Sequence, residues 1–228
     1  MKELQILLIF SIFPFLLMAQ STITITGHRG AAGHAPENTM AAVRKGLALG
    51  AGRIEIDVHQ TADGRVVVLH DRDLSRTTNF TGNVDDYSYQ QLKACKANVG
   101  WEEDYPDQGI PLLEEVLAAT QGKAVLLIEV KEASEIYPDI EQHILDIVKE
   151  AEAVDSVILQ SFRDEVLQSF HALEAPFPLH KLFVFKVWGL PLLYDGHWHM
   201  KSLRAYPYAE AFASYHKFTG KALVRHAH

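Results

Sequence analysis

Arg53-Ile54-Glu55-Ile56-Asp57-Val58, followed beyond a turn at Asp63-Gly64 by Val66-Val67-Val68-Leu69-His70, decides how this chain is built. Both runs are rich in Ile, Val and Leu, the pattern of strands buried on both faces in a parallel sheet. Glu55 and Asp57 are two residues apart and so share one face of their strand. Residues 58–65 alone separate the two runs. A helical crossover between parallel strands needs a dozen residues or more. An extended segment of this length spans about 26 Å, enough to run back along the first strand. The spacing therefore predicts a return without a helix, with the third strand parallel to the second.

Working outward, residues 22–26 alternate Thr and Ile as a first strand, and residues 124–130, 156–162 and 182–185 read as three more, giving six. Helices are expected from Pro36-Glu37 to about residue 49, over 112–120, 140–151 and 164–173, with weaker candidates at 208–218 and 221–228. Residues 72–109 are polar with little periodicity and read as a small insertion after the third strand. Strands alternating with helices define a parallel α/β protein. Its chemically rich residues follow four different strands: His28 and Arg29, Glu55 and Asp57, His70, then Glu129 and Lys131. That spread fits the C-terminal face of a β/α barrel better than the single crevice of a doubly wound sheet.

At 228 residues the chain suits one domain. A composition of 48% hydrophobic and 22% charged residues excludes a disordered chain. The net charge of −8 gives no overall attraction to nucleic acid, and no such partner is expected. One cysteine, Cys95, excludes an internal disulfide framework and any multi-cysteine metal site. Residues 4–19 are apolar apart from Gln5 and Ser11, and Ala19 offers a small residue for cleavage. The run is broken by Pro14 and is shorter than the roughly 20 residues of a membrane span. The expectation is a signal peptide at residues 1–19, a mature domain at 20–228 in the periplasm or secreted, and no stable membrane span.

On chemistry, Glu55 and Asp57 on one barrel-facing surface repel unless neutralised, and Glu129 adds a third carboxylate. Three oxygen donors suit a hard divalent cation such as Ca2+ or Mg2+. Salt bridges to Arg29, Lys131 or Arg53 account for the acids equally well. His28 and His70 are candidates for proton transfer near neutral pH. Arg29 and Lys131 suit phosphate oxygens. Cation, acid/base pair and phosphate donors together point to phosphodiester cleavage. Gly27, Gly30 and Gly33 invite a dinucleotide-binding reading, but their spacing is GxxGxxG, and His28 and Arg29 would stand where backbone must approach a pyrophosphate. His197-Trp198-His199 offers weak support for a metal, and His59, two residues past Asp57, stands near the cluster without a clear role.

Seven motifs in order carry a resemblance: Gly27-His28-Arg29-Gly30, Pro36-Glu37-Asn38-Thr39, Glu55-Ile56-Asp57-Val58, Thr61-Ala62-Asp63-Gly64, Val68-Leu69-His70-Asp71, Leu74-Ser75-Arg76-Thr77-Thr78 and Glu129-Val130-Lys131. The chain resembles the glycerophosphodiester phosphodiesterase family. The resemblance implies a distorted β/α (TIM) barrel, a divalent cation on Glu55, Asp57 and Glu129, His28 and His70 as the acid/base pair, and Arg29 and Lys131 on the phosphate. It implies a small-molecule glycerophosphodiester, such as glycerophosphocholine, cleaved to glycerol 3-phosphate and an alcohol.

Six strands fall short of the eight of a full barrel, and the family's Trp-Thr strand and closing strand have no counterpart here. The expectation is an incomplete barrel whose outer strands have unpaired edges. Two alternatives accompany it: a truncated protein that binds a cation or phosphodiester without turnover, and a lysophospholipase D-like hydrolase acting on intact lysolipids.

Overall fold

The computed structural model describes residues 23–186, 193–194, 200–201 and 203–214. Among the described residues five α-helices accompany the strands: α1 (Met40–Ala48), α2 (Tyr89–Leu92), α3 (Leu113–Thr120), α4 (Ile140–Glu150) and α5 (Asp164–Ala172). The main sheet contains β1 (Thr26–Gly27), β2 (Arg53–Gln60), β3 (Val66–Val68), β4 (Val125–Val130), β5 (Val157–Ser161) and β6 (Leu179–Phe183). Three two-residue strands, β7 (Phe185–Lys186), β8 (Leu193–Tyr194) and β9 (Met200–Lys201), pair in a small antiparallel sheet. The chain then returns as β10 (Ala211–Ser214), parallel to β6.

The order β1-β2-β4-β5-β6-β10 is parallel throughout, and β3 pairs with β2 off this path. Six parallel strands form an open arc of a β/α barrel. Among the described residues no strand covers the outer edge of β1 or of β10.

Strand alternation explains why the arc holds a site. Ile54, Ile56 and Val58 on β2, Leu126, Ile128 and Val130 on β4, and Leu159 on β5 belong to one buried cluster with the helices. Each such side chain contributes roughly 1.5–3 kcal/mol through burial. The helices answer with apolar stripes at helical spacing, Ile140, Ile144, Leu145 and Val148 on α4 and Val166, Leu167 and Phe170 on α5, all buried. The intervening residues Glu55, Asp57, Glu129 and Gln160 must then face the concave side. β2 and β4 pair Asp57 with Glu129, and β4 and β5 pair Glu129 with Gln160.

The structure corrects the third strand. β2 continues to Gln60, and β3 returns antiparallel, with Val58 opposite Val68 and Gln60 opposite Val66. The absence of a helix between them holds; the direction does not. A tight hairpin satisfies the backbone groups that an extended backward run would leave unpaired. Thr61 N donates to Arg65 O at 3.0 Å, and Gly64 has φ +78°, a conformation glycine adopts without strain.

Residues 211–214 are strand, where a helix over 208–218 was expected. Pairing with the edge of β6 outweighs local helical preference, and Phe212 packs beside Phe183 and Tyr206. The strand expected at 182–185 starts earlier, at Leu179. Helix α1 starts at Met40, capped by Thr39, whose side chain accepts from Ala42 N at 3.2 Å.

The insertion folds back on the body. Its residues Leu74, Val84, Leu92 and Cys95 join the main buried cluster, and Arg72 holds Asp85 through two hydrogen bonds of 2.8 and 2.6 Å. The expected signal peptide, the 221–228 helix and His197-Trp198-His199 lie outside the described residues. Among the described residues no helix is long and apolar enough to cross a membrane.

Candidate active site

Glu55 and Asp57, midway along β2, converge on the concave side with Glu129 near the end of β4, each buried, with one oxygen apiece lying within 4.8 Å of the others. A single Ca2+ binds oxygens at about 2.3–2.6 Å, so oxygens at this spacing can share one ion. Lys131 bridges two of the acids, its Nζ 2.9 Å from Asp57 Oδ1 and 2.6 Å from Glu129 Oε1. Its ammonium shows that these oxygens converge on a point of positive charge.

Charge balance carries the fit further. Asp57 is held below the usual carboxylate range: burial pushes it up, but the Lys131 charge and hydrogen bonds from Lys131 and Asn38 prevail. Glu55 has no comparable support. It accepts Arg29 N at 2.8 Å and Gln160 Nε2 at 3.5 Å, and His28 Nε2 stands 3.9 Å away. Burial and the charge of Asp57 push it up to about 8. Burial also raises Glu129, against the pull of Lys131. The cluster is short of positive charge, and an all-oxygen donor set of this kind fits a hard divalent cation. Salt bridges to Arg29 and Lys131, the competing account, are also present, and they leave Glu55 unpaired with a full cation.

The loop after β1 reaches over this cluster because its glycines let it. A Cβ on Gly27 would lie 2.0 Å from Gly30 O, and one on Gly30, at φ +84°, would lie 2.6 Å from Ala42 C. Gly30 therefore serves close packing on α1 and Gly27 the tight turn of the loop itself, whereas a Cβ on Gly33 would meet nothing within 4 Å. Arg29 Nη1 donates to Glu37 Oε1 at 2.8 Å, and its Nε lies 3.6 Å from Asp57 Oδ2, buried and without a hydrogen bond. Its side chain is thus aimed at the cluster with one donor unused. The His28 side chain is 69% exposed at the mouth. Partial desolvation and the charge of Arg29 hold it below the ordinary imidazole range.

His70 reaches the same place by the hairpin. Leu69 N donates to Asp57 O at 3.0 Å, which fixes the end of β3 level with the carboxylates. His70 Nδ1 lies 2.5 Å from Asp71 Oδ1, leaving Nε2 for another partner. A cavity of about 250 Å3 is lined by His59, His70, Arg72, Glu129, Lys131 and Phe162, among others. All seven residues picked from the sequence therefore lie at one face.

Four others were not assigned there. Asn38 is buried and grips Asp57 twice, Nδ2 to Oδ2 at 2.8 Å and Asp57 N to Oδ1 at 3.2 Å. His59 is buried behind His70: its Nε2 meets His70 O at 3.0 Å and its Nδ1 meets Tyr137 Oη at 2.8 Å. A carbonyl only accepts, so Nε2 carries the proton and Tyr137 donates to Nδ1. Burial pushes His59 down to about 4, in keeping with this neutral form. Glu37 and Arg76 complete the surround. Asn38, Glu37 and Arg76 all stand inside the quoted motifs, which was the available signal.

Fold and site together define a β/α-barrel protein with a buried acidic triad that could hold a divalent cation on its concave face. Residues 28–228 match the model of the glycerophosphoryl diester phosphodiesterase family, and the chain belongs to that family. It is similar to a glycerophosphodiester phosphodiesterase of Bacillus altitudinis, 42% identical over 65% of this chain and 62% of the relative. It is also similar to the crystal structure of a glycerophosphodiester phosphodiesterase from Agrobacterium tumefaciens, 32% identical with a TM-score of 0.63, covering 71% of this chain and 67% of that one. An Oleispira antarctica phosphodiesterase, solved with the product sn-glycerol-3-phosphate, shares the fold: 23% identity, TM-score 0.78, 90% of this chain and 80% of that one. The chain spans between 57% and 62% of the length of the first curated relatives it matches.

Proposed function

We propose that the protein hydrolyses glycerophosphodiesters, such as glycerophosphocholine, to glycerol 3-phosphate and an alcohol, with Ca2+ or Mg2+ held by Glu55, Asp57 and Glu129. The observation that carries this reading is the buried acidic triad flanked by His28, Arg29, His70 and Lys131 at one barrel face, in a chain of this family. The relatives' names support the substrate class.

A divalent cation held by Glu55, Asp57 and Glu129 would supply positive charge that polarises the phosphodiester. Arg29 sets its guanidinium beside Asp57, a positive charge suited to an equatorial oxygen of the phosphate. Lys131 adds a second positive charge beside it. His28, held below the ordinary imidazole range, is neutral near pH 7 and accepts the proton of the attacking hydroxyl or water. His70, pinned through Nδ1 by Asp71, offers Nε2 to the leaving alcohol. Asn38 keeps the Asp57 carboxylate turned toward the cluster. The apolar run at residues 4–19 supports export of the domain, which mass spectrometry of the mature N-terminus tests.

The deciding experiment is glycerol 3-phosphate release from glycerophosphocholine, with Ca2+ or Mg2+ and with a chelator, beside His28→Ala. Cation-dependent release that falls by orders of magnitude in the variant is the expected result. A folded chain that binds the cation and releases nothing would leave the protein a binder of cation or phosphodiester. Preference for a lysolipid would move the substrate to acylated glycerophosphodiesters.

A further inference from the structure

A chain of alternating charges joins the loop after β1 to the end of β3, and the reaction steps above use its two ends, His70–Asp71 and Arg29, but not Arg76 and Glu37 between them. His70 Nδ1 contacts Asp71 Oδ1 at 2.5 Å, and Asp71 Oδ2 accepts from Arg76 Nε. Arg76 then turns its other two nitrogens on Glu37, Nη2 to Oε1 at 2.7 Å and Nη1 to Oε2 at 3.1 Å. Glu37 Oε1 also accepts from Arg29 Nη1 at 2.8 Å. Arg76 belongs to the insertion, yet its contacts reach both loops of the site.

The links are not a folding core. Arg76 is 48% exposed, Asp71 31% and Glu37 20%. Ion pairs this open to water add little to stability, because solvent screens them and ordering long side chains opposes them. What a guanidinium does provide is direction. Its planar fork fixes the relative orientation of two carboxylates, which a lysine ammonium cannot do. Groups behind an acid/base residue that hold its ring in place affect turnover more than folding.

We propose that Arg76 is a positioning residue for the reaction. It clamps Asp71, so that His70 presents Nε2 to the substrate, and through Glu37 it holds Arg29 in register with that imidazole. The inference rests on the roles given above to His70 and Arg29.

The test compares wild type, Arg76→Gln and Arg76→Lys by kcat and KM on glycerophosphocholine with the cation, by thermal midpoint, and by imidazole proton NMR. The His70 Nδ1 proton is assigned from its loss in His70→Gln. The expected result is a fall in kcat of about tenfold or more in both variants. That fall should exceed any rise in KM, with the midpoint held to within about 3 °C. The downfield His70 Nδ1 proton should disappear in Arg76→Gln. Full kcat in Arg76→Lys, or an unchanged His70 proton in Arg76→Gln, would overturn the proposal. A wild type without turnover would refute the hydrolase reading instead, and the NMR comparison would still decide whether Arg76 clamps the His70–Asp71 pair.

Discussion

Asn38 shows how much of the site depends on a single amide. It is buried at φ +57°, and both its donor and its acceptor are spent on Asp57. Asn38→Ala removes two buried hydrogen bonds and puts a less tolerant residue in the left-handed region. It should cost about 2–4 kcal/mol, read as a lower urea midpoint with unchanged slope. Glu55 gives a pH prediction. Without a cation it is pushed up to about 8, and cation binding requires the carboxylate, so binding below pH 8 displaces a proton. Apparent cation affinity should weaken by about tenfold for each pH unit below 8, with close to one proton released, as measured by calorimetry in buffers of different ionisation enthalpy. A flat affinity from pH 6 to 8 would contradict it. At this scale the sequence was informative where side-chain chemistry speaks for itself. Acids on one strand face and histidines at strand ends can be read from spacing. Asn38, Glu37 and Arg76 could not be given roles, because each acts through partners 5 to 39 positions away whose contact only the fold fixes.

The hairpin of β2 and β3 is the element on which the site turns. Strand identity and the lack of a helix were evident from length, whereas strand direction was not: eight residues serve a hairpin or a return run, and backbone satisfaction chooses between them. β10 was misread for a related reason. Its four residues have weak strand character, and the partner that makes them a strand, β6, lies far back in the chain. Gly64→Ala, at φ +78° in the hairpin turn, should lower stability by about 1–2 kcal/mol and reduce turnover through displacement of His70. A variant with full stability and full turnover would show that the turn is not constrained. On the other side of the arc, Lys181 of β6 lies fully buried 2.8 Å from Asp164 at the start of α5. Lys181→Ala breaks this buried ion pair and should cost about 3–5 kcal/mol in denaturant unfolding.

Across the whole molecule, the arc presents two uncovered edges among the described residues. Beside β1 a groove of about 340 Å3 is lined by Ile25, Gly27, Leu49 and Ala51, among others. Ile23, Ile25 and Leu49 are strongly exposed there. An apolar sheet edge of this kind favours pairing with another chain. Sedimentation should show concentration-dependent association, reduced by Ile25→Lys; a monodisperse monomer at all concentrations would contradict this. The arc also has a temporal side. Every proposed site residue from His28 to Lys131 precedes α4, and the strands bearing the three acids, β2 and β4, are direct neighbours. Domains assemble from the N-terminus as synthesis proceeds. The nascent chain therefore holds its full chemical complement once Lys131 has been added, while β5, β6 and β10 are still to be made. Changes selected in the later half would alter the durability of the scaffold and the wall of the site, where Gln160 meets Glu55 and Phe162 lines the cavity, without replacing a reacting group.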